Sequence, residues 1–179
     1  IPRPGRSAAK LALLGGPPVR TKKWSPWPIW DKSAEPDILA VLRSGVWFRG
    51  QGTRVPEFEK RYAELLGAKK CLATSSGTTA LITALHVLGV EAGDEVIVSP
   101  YTFIATYNVV LMLKALPVFA DTDQETFTIN PQKIEERITE RTRALLPVHI
   151  LGLPVEMDPV MEIARKHRLM VVEDACQAW

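Results

Sequence analysis

Ser75, Ser76, Gly77, Thr78 and Thr79 are five consecutive hydroxyl-bearing or glycine residues. They lie between the apolar run Cys71-Leu72-Ala73 and the helically spaced Leu81, Ala84, Leu85 and Leu88. A strand that turns directly into a helix leaves the first backbone N–H groups without intrahelical partners. Those donors, the positive end of the helix dipole and the hydroxyls together suit a phosphate dianion. Gly77 allows close approach of the backbone. For an isolated turn of this composition, a plain Ser/Thr N-cap without a ligand is the commoner explanation. Three further groups follow apolar, strand-like runs: Pro100-Tyr101-Thr102-Phe103, His149, and Glu173-Asp174-Ala175-Cys176-Gln177. Taken singly, Asp174 reads as a helix cap, Phe103 as a core residue and His149 as a satisfied histidine at the core edge. Their recurrence at the carboxyl ends of successive strands is hard to obtain by chance and points to one shared site.

The elements that must position these groups alternate. Strand-like runs fall near Cys71–Thr74, Glu95–Ser99, Leu116–Ala120, Ala144–Ile150 and Leu169–Glu173. Helical stretches near Thr78–Leu88, Ile104–Lys114, Pro131–Thr139 and Met157–His167 separate them. This rhythm, with near-continuous apolar strands, predicts an α/β fold whose mainly parallel sheet is covered by helices on both faces. Crossovers are right-handed, and ligands gather at the carboxyl ends of the strands. Before the sheet, Phe58, Tyr62, Leu65 and Leu66 predict an amphipathic helix from Val55 to Leu66, stopped by Gly67. An earlier helix is capped by Asp31 or Ser33, runs through about Arg43 and ends at Gly45. The loop Val46-Trp47-Phe48-Arg49-Gly50-Gln51-Gly52 reads either as a packed connector or as the lining of a pocket. Residues 1–31 carry Pro2, Pro4, Pro17, Pro18, Pro26 and Pro28, with Trp24, Trp27 and Trp30, and read as an extended arm lying against its own domain or a partner subunit.

With 179 residues, 46% hydrophobic and 23% charged, the chain has an ordinary globular composition. A formal net charge of +2 gives no reason to expect a nucleic-acid or anionic-membrane surface. No apolar run approaches a bilayer span. Cys71 and Cys176 do not make a disulfide framework, which favours a reducing, cytoplasmic setting. Without an initiating Met, and stopping at Trp179 soon after an apolar strand, the sequence is expected to be part of a longer protein.

From Leu14-Gly15-Gly16-Pro17-Pro18-Val19-Arg20 onward the sequence resembles the DegT/DnrJ/EryC1/StrS family of pyridoxal-phosphate (PLP) aminotransferases. The matching passages are SSGTTAL (75–81), GDEVIVSPYTFIAT (93–106), PVFADTDQETFTINP (117–131), PVHILGLPVEMD (147–158) and VVEDACQA (171–178). The resemblance implies the first half of a type I aminotransferase. Three parts follow from it: an arm over 1–31, helices and a connecting loop over 32–67, and the first part of the PLP-binding large domain over 68–179. By resemblance, Gly77, Thr78 and Thr79 hold the cofactor phosphate, Phe103 stacks on the pyridine ring, and Asp174 pairs with the ring nitrogen. Gln177 occupies a Gln-or-His position that hydrogen-bonds near the ring hydroxyl, and Cys176 has a packing role. The loop at Trp47-Phe48-Arg49-Gly50 is similar to versions in members acting on cyclitols, which makes Arg49 a candidate substrate contact. The resemblance also implies a homodimer, an amino-acid donor such as glutamate or glutamine, and a keto-sugar or keto-cyclitol acceptor.

The family's Schiff-base lysine lies in a Ser-x-x-Lys-Asn-like motif beyond the EDAxQ stretch. Lys69, Lys70, Lys114 and Lys166 match no such context, so these 179 residues are expected to be inactive alone. Two other readings compete. Adenylate-forming enzymes share a Ser-Gly-Thr-Thr run but continue with Gly and Pro-Lys, where Ala80-Leu81-Ile82 stands here. A PLP-fold regulator or scaffold is the non-enzymatic alternative. A dinucleotide site is weaker still, because no Gly-x-Gly-x-x-Gly turn follows a strand. Asp121-Thr122-Asp123 reads as a solvated turn ahead of a metal pair.

Overall fold

The computed structural model describes residues 10–178. Pro2 and Pro4 of the proline-rich arm, and Trp179, lie outside the described residues. The chain divides into two compact units, one up to Arg54 and one from Val55. In the first, a 3-10 turn at Ala12–Leu14 precedes an extended stretch with a cis Trp27–Pro28 bond. Helix α1 (Ala34–Ser44) follows, with its amino end stabilised by the Asp31 carboxylate, which accepts the Ser33 N–H at 2.7 Å. Hydrogen bonds from Ser33, its side chain first and then its backbone, lower the Asp31 pKa. Gly45 ends the helix in the left-handed region (φ 68°), the conformation a glycine cap supplies at least cost. No residue of α1 is buried.

The second unit comprises α2 (Arg54–Leu65, all but its first residue), α3 (Gly77–Val87), β1 (Glu95–Val98), α4 (Ala105–Met112), β2 (Leu116–Phe119), α5 (Pro131–Glu135), β3 (Thr142–Leu146), α6 (Met157–His167) and β4 (Met170–Val171). The four strands form one sheet in the order β2-β1-β3-β4, every pairing parallel. Alternation along the central strands divides the core between the two faces. Val96, Val98, Ala144 and Leu146 pack with Leu81 and Leu85 of α3 and with Val109 and Val110 of α4. Ile97 and Leu145 point the other way, to Ile134 of α5 and to Val160 and Ala164 of α6. Both faces of β1 are covered, which is why all four of its residues are buried and Val96, Ile97 and Val98 form an unbroken apolar run after Glu95. The chain runs outward from β1 to β2, then returns past β1 to β3. The reversal between β1 and β3 opens a crevice above their carboxyl ends.

Several elements differ from the sequence expectation. Cys71–Thr74 is not a strand: no strand runs beside it among the described residues, and the Ala73 N–H donates instead to Glu59 Oε1 of α2 at 2.9 Å. Extended backbone without a ladder partner is not a sheet. Expected over Ala144–Ile150, β3 covers Thr142–Leu146. Pro147 carries no N–H for the ladder, and Ile150–Gly152 wind into a 3-10 turn. Pairing resumes beyond the interruption, where His149 N–H donates to the Asp174 carbonyl at 3.1 Å and Asp174 N–H to that of Pro147 at 2.9 Å. Helix α5 stops at Glu135, short of the expected Thr139, because the Thr139 amide turns to the Thr142 hydroxyl at 2.8 Å. No described helix is long and apolar enough to cross a membrane.

Candidate active site

Helix α3 begins with a reciprocal cap. Ser76 is extended (φ −164°, ψ 163°), its Oγ accepts the Thr79 N–H at 3.2 Å, and Thr79 Oγ1 accepts the Ser76 N–H at 3.1 Å. The amide and hydroxyl of Thr79 are therefore committed to the turn, and Thr79 does not line the neighbouring hollow. Gly77 and Thr78 precede the first intrahelical bond (Ala80 N–H to Ser76 O, 3.0 Å), so their amides remain available as donors. A Cβ added at Gly77 would lie 2.5 Å from Cys176 Sγ. Glycine at 77 leaves room for the Cys176 side chain against the start of α3.

That approach makes one wall of a hollow of about 270 Å³. Gly77 and Thr78 come from α3, Thr102 and Phe103 from the turn after β1, Thr106 from α4, and Asp174 and Gln177 from the turn after β4. Of the residues expected from sequence, five share this space: Gly77, Thr78, Phe103, Asp174 and Gln177. Phe103 is 67% exposed, a large apolar surface presented at the hollow. The Gln177 Oε1 accepts the Leu151 N–H at 2.7 Å, which leaves its amide nitrogen as the group available for a ligand. Arg49 lies in the first unit, in the exposed turn after α1.

Asp174 is only 5% exposed. Its Oδ2 accepts the Thr106 hydroxyl at 2.8 Å and its Oδ1 accepts the Cys176 N–H at 3.1 Å. Both donors are neutral, and no Lys, Arg or His pairs with this carboxylate among the described residues. A buried carboxylate needs hydrogen bonds and, in most proteins, a countercharge. The Cys176 thiol is pushed up to about 11, first by its partial burial against Gly77 and then by its hydrogen bond to Asp174 and that group's negative charge. It is therefore a thiol and not a thiolate at neutral pH.

His149 is fully engaged. Its Nδ1 accepts the Val155 N–H at 3.0 Å, so Nε2 carries the proton that reaches Glu173 Oε2 at 3.0 Å. Asp123 is occupied by its own turn, its Oδ1 accepting the amides of Thr126 (3.0 Å) and Glu125 (2.9 Å), which lower its pKa in that order. A larger cleft of about 630 Å³ is lined by Asp123, Glu125, Glu135, Glu156 and Glu162, a charge pattern that repels a phosphate. Thr106 is the site residue that sequence reasoning missed, and Thr102 was given no role there. The available signal was periodicity: Thr106 falls with Val109 and Val110 on the buried stripe of α4, and a hydroxyl there must find a partner.

Comparison with known proteins finds relatives that cover most of this chain. The L-glutamine:2-deoxy-scyllo-inosose aminotransferase of Streptomyces lividus is 38% identical over 176 residues, covering 96% of this chain and 42% of the relative. The GDP-perosamine synthase of Caulobacter vibrioides is 43% identical over 144 residues, covering 80% of this chain and 39% of the relative. The crystal structure of NtdA from Bacillus subtilis with bound cofactor PMP superposes with a TM-score of 0.80 at 37% identity, over 89% of this chain and 38% of that one. The chain thus spans about 40% of the length of the proteins it matches, and over that part its α/β fold is that of the type I PLP-dependent aminotransferases. Residues 28–179 match the sequence profile of one family across both units, and the chain belongs to the DegT/DnrJ/EryC1/StrS aminotransferases.

Proposed function

We propose that the hollow at the carboxyl ends of β1, β3 and β4 holds PLP or its amine form, pyridoxamine phosphate. The complete protein then transfers an amino group from an amino-acid donor to a keto-sugar or keto-cyclitol. The observation that carries this reading is Asp174, a buried carboxylate with neutral donors on both oxygens, 2.8 and 3.1 Å away, and no cation among the described residues. A protonated ring nitrogen is the countercharge such a group lacks. The donor set fits the rest of the cofactor: two amides at a helix start for the phosphate, an exposed aromatic face for the ring, and an amide N–H₂ for a ring oxygen.

In this assignment Gly77 and Thr78 bind the dianion, and Thr79 holds the turn that aims them. Phe103 covers one face of the ring and limits access of water to it. Asp174 keeps a proton on the ring nitrogen, and Gln177 donates from Nε2. When bound, the cofactor supplies an electron-withdrawing ring and a carbon that accepts and returns the amino group. The donor and acceptor classes are supported by relatives whose names specify L-glutamine with a scyllo-inosose. Arg49 is assigned to the substrate; Arg49→Ala in the complete enzyme weakens substrate use, and unchanged kinetics removes it from the site. A homodimer in the cytoplasm belongs to the same proposal, as does the division into an arm (1–31), helices and loop (32–67) and large-domain portion (68–179).

Pyridoxamine phosphate tests the site directly, because its binding needs no lysine. Titration of the protein should give one saturable site per chain, weakened at least tenfold by Asp174→Asn. Parent-like binding by that variant refutes the assignment. The 179 residues hold no lysine in the family's context, so borohydride reduction with PLP should label no single lysine stoichiometrically. A stoichiometric adduct at one position overturns the expected inactivity of this portion.

A further inference from the structure

Thr106 does something that a helical threonine ordinarily does not. In α3, Thr83 donates its hydroxyl to the carbonyl one turn back (Thr79 O, 2.7 Å), the usual arrangement in a helix interior. In α4, Thr106 is 1% exposed and donates its hydroxyl instead to Asp174 Oδ2 at 2.8 Å, across 68 residues of sequence. A hydroxyl has one hydrogen. The 2.8 Å contact between the Thr102 and Thr106 hydroxyls must then be donated by Thr102. All hydrogens in the row Thr102, Thr106, Asp174 run toward the carboxylate, and the Thr106 hydroxyl, by accepting from Thr102, becomes a stronger donor to Asp174. Oδ1 is fixed independently by the Cys176 N–H at 3.1 Å. Donors from two different elements thus set the plane of the carboxylate.

We propose that Thr106 is a positioning residue for Asp174, and that Thr102 orients the Thr106 hydroxyl. Together they hold the carboxylate aimed at a cationic ring nitrogen. The inference rests on the cofactor assignment above. A hydroxyl on the buried stripe of α4 must be hydrogen-bonded to offset its desolvation, and Thr106 meets that need through Asp174 and Thr102. Removing the Thr106 hydroxyl deprives Oδ2 of its donor, frees the carboxylate to rotate, and weakens its pairing with the ring.

The test uses pyridoxamine phosphate binding and the absorption spectrum of the bound ligand, which reports ring-nitrogen protonation. Thr106→Val is expected to weaken binding about tenfold and to move the spectrum toward the unprotonated ring. Thr106→Ser keeps the hydroxyl and should recover affinity to within about twofold, with the parent spectrum. Thr102→Val, at a half-buried site, should weaken binding about threefold and carries the test if Thr106→Val does not fold. Equal losses in Thr106→Val and Thr106→Ser would assign the effect to packing of the methyl group and overturn the proposal. So would parent-like binding and spectrum in Thr106→Val, or in Thr102→Val where Thr106→Val is unfolded. Asp174→Asn separates the two levels. If it loses binding while Thr106→Val does not, the threonine proposal alone falls; if it binds like the parent, the cofactor assignment falls as well.

Discussion

The two ends of the sheet each bury a carboxylate, and they treat it in opposite ways. At the amino end, Glu95 is 4% exposed and is met by the Arg141 guanidinium at 2.6 Å and the Thr139 hydroxyl at 2.5 Å. Charge and hydrogen bonds are both satisfied within the protein, and the group ties β1 to the start of β3. At the carboxyl end, Asp174 is buried to the same degree but is given hydrogen bonds and no cation among the described residues. Leaving a buried charge uncompensated costs several kcal/mol unless something else supplies the opposite sign. The difference separates a structural carboxylate from one kept for a ligand, and burial alone would not have distinguished them.

The largest effect that could break this contrast is at Asp174. Asp174→Ala should lower affinity for pyridoxamine phosphate by roughly 4 kcal/mol, the cost of deleting one partner of a buried pair. Titration calorimetry checks it, and a loss of less than about tenfold would make Asp174 a second structural carboxylate. Arg141→Ala is the mirror experiment. It leaves Glu95 with the Thr139 hydroxyl but no cation and, because the Arg141 side chain is largely exposed, should destabilise the fold by about 1–2 kcal/mol in urea unfolding, with ligand affinity unchanged. A change in affinity with little change in stability would erase the distinction between the two ends.

A smaller effect sharpens the picture around Asp174. With its pKa pushed up to about 11 from an ordinary 9.0, the Cys176 thiol should react with iodoacetamide roughly a hundredfold more slowly near pH 8 than a free cysteine. Replacing Cys71 with serine leaves Cys176 as the sole target. Because the folded state holds the proton more tightly, this group's contribution to stability is present below about pH 9 and is lost as pH rises toward about 11. Fast labelling at pH 8 would show that the sulfur is not held beside Asp174 and Gly77. The smallest effect is at Gly77. A methyl group 2.5 Å from Cys176 Sγ forces a shift worth about 1–2 kcal/mol, and Cys176→Ala should restore most of the stability lost in Gly77→Ala. Failure of the double variant to recover would place the clash elsewhere.

Much of this was legible in the sequence, and what was not has local causes. The βα rhythm, the helix start at Ser76-Gly77 and the acidic residue after the last apolar run all follow from short-range chemistry. The strand expected at Cys71–Thr74 has the right composition, but a ladder requires a neighbour, and composition does not say whether one is present. The end of β3 was overrun because Val148 and Ile150 continue the apolar run past Pro147, whose missing N–H interrupts the pairing.

The amino-acid order by itself determined the alternation that sends Val96 and Val98 to one face and Ile97 to the other. It also determined the capping chemistry that leaves two amides open at α3, because both depend on residues within a turn or a pleat of each other. Only the tertiary structure decided that the Thr106 hydroxyl would reach Asp174 across 68 residues, or that Gly77 would meet Cys176. Those meetings depend on how right-handed crossovers stack helices on a parallel sheet, a constraint that acts over the whole unit and leaves no mark in the spacing of neighbouring residues.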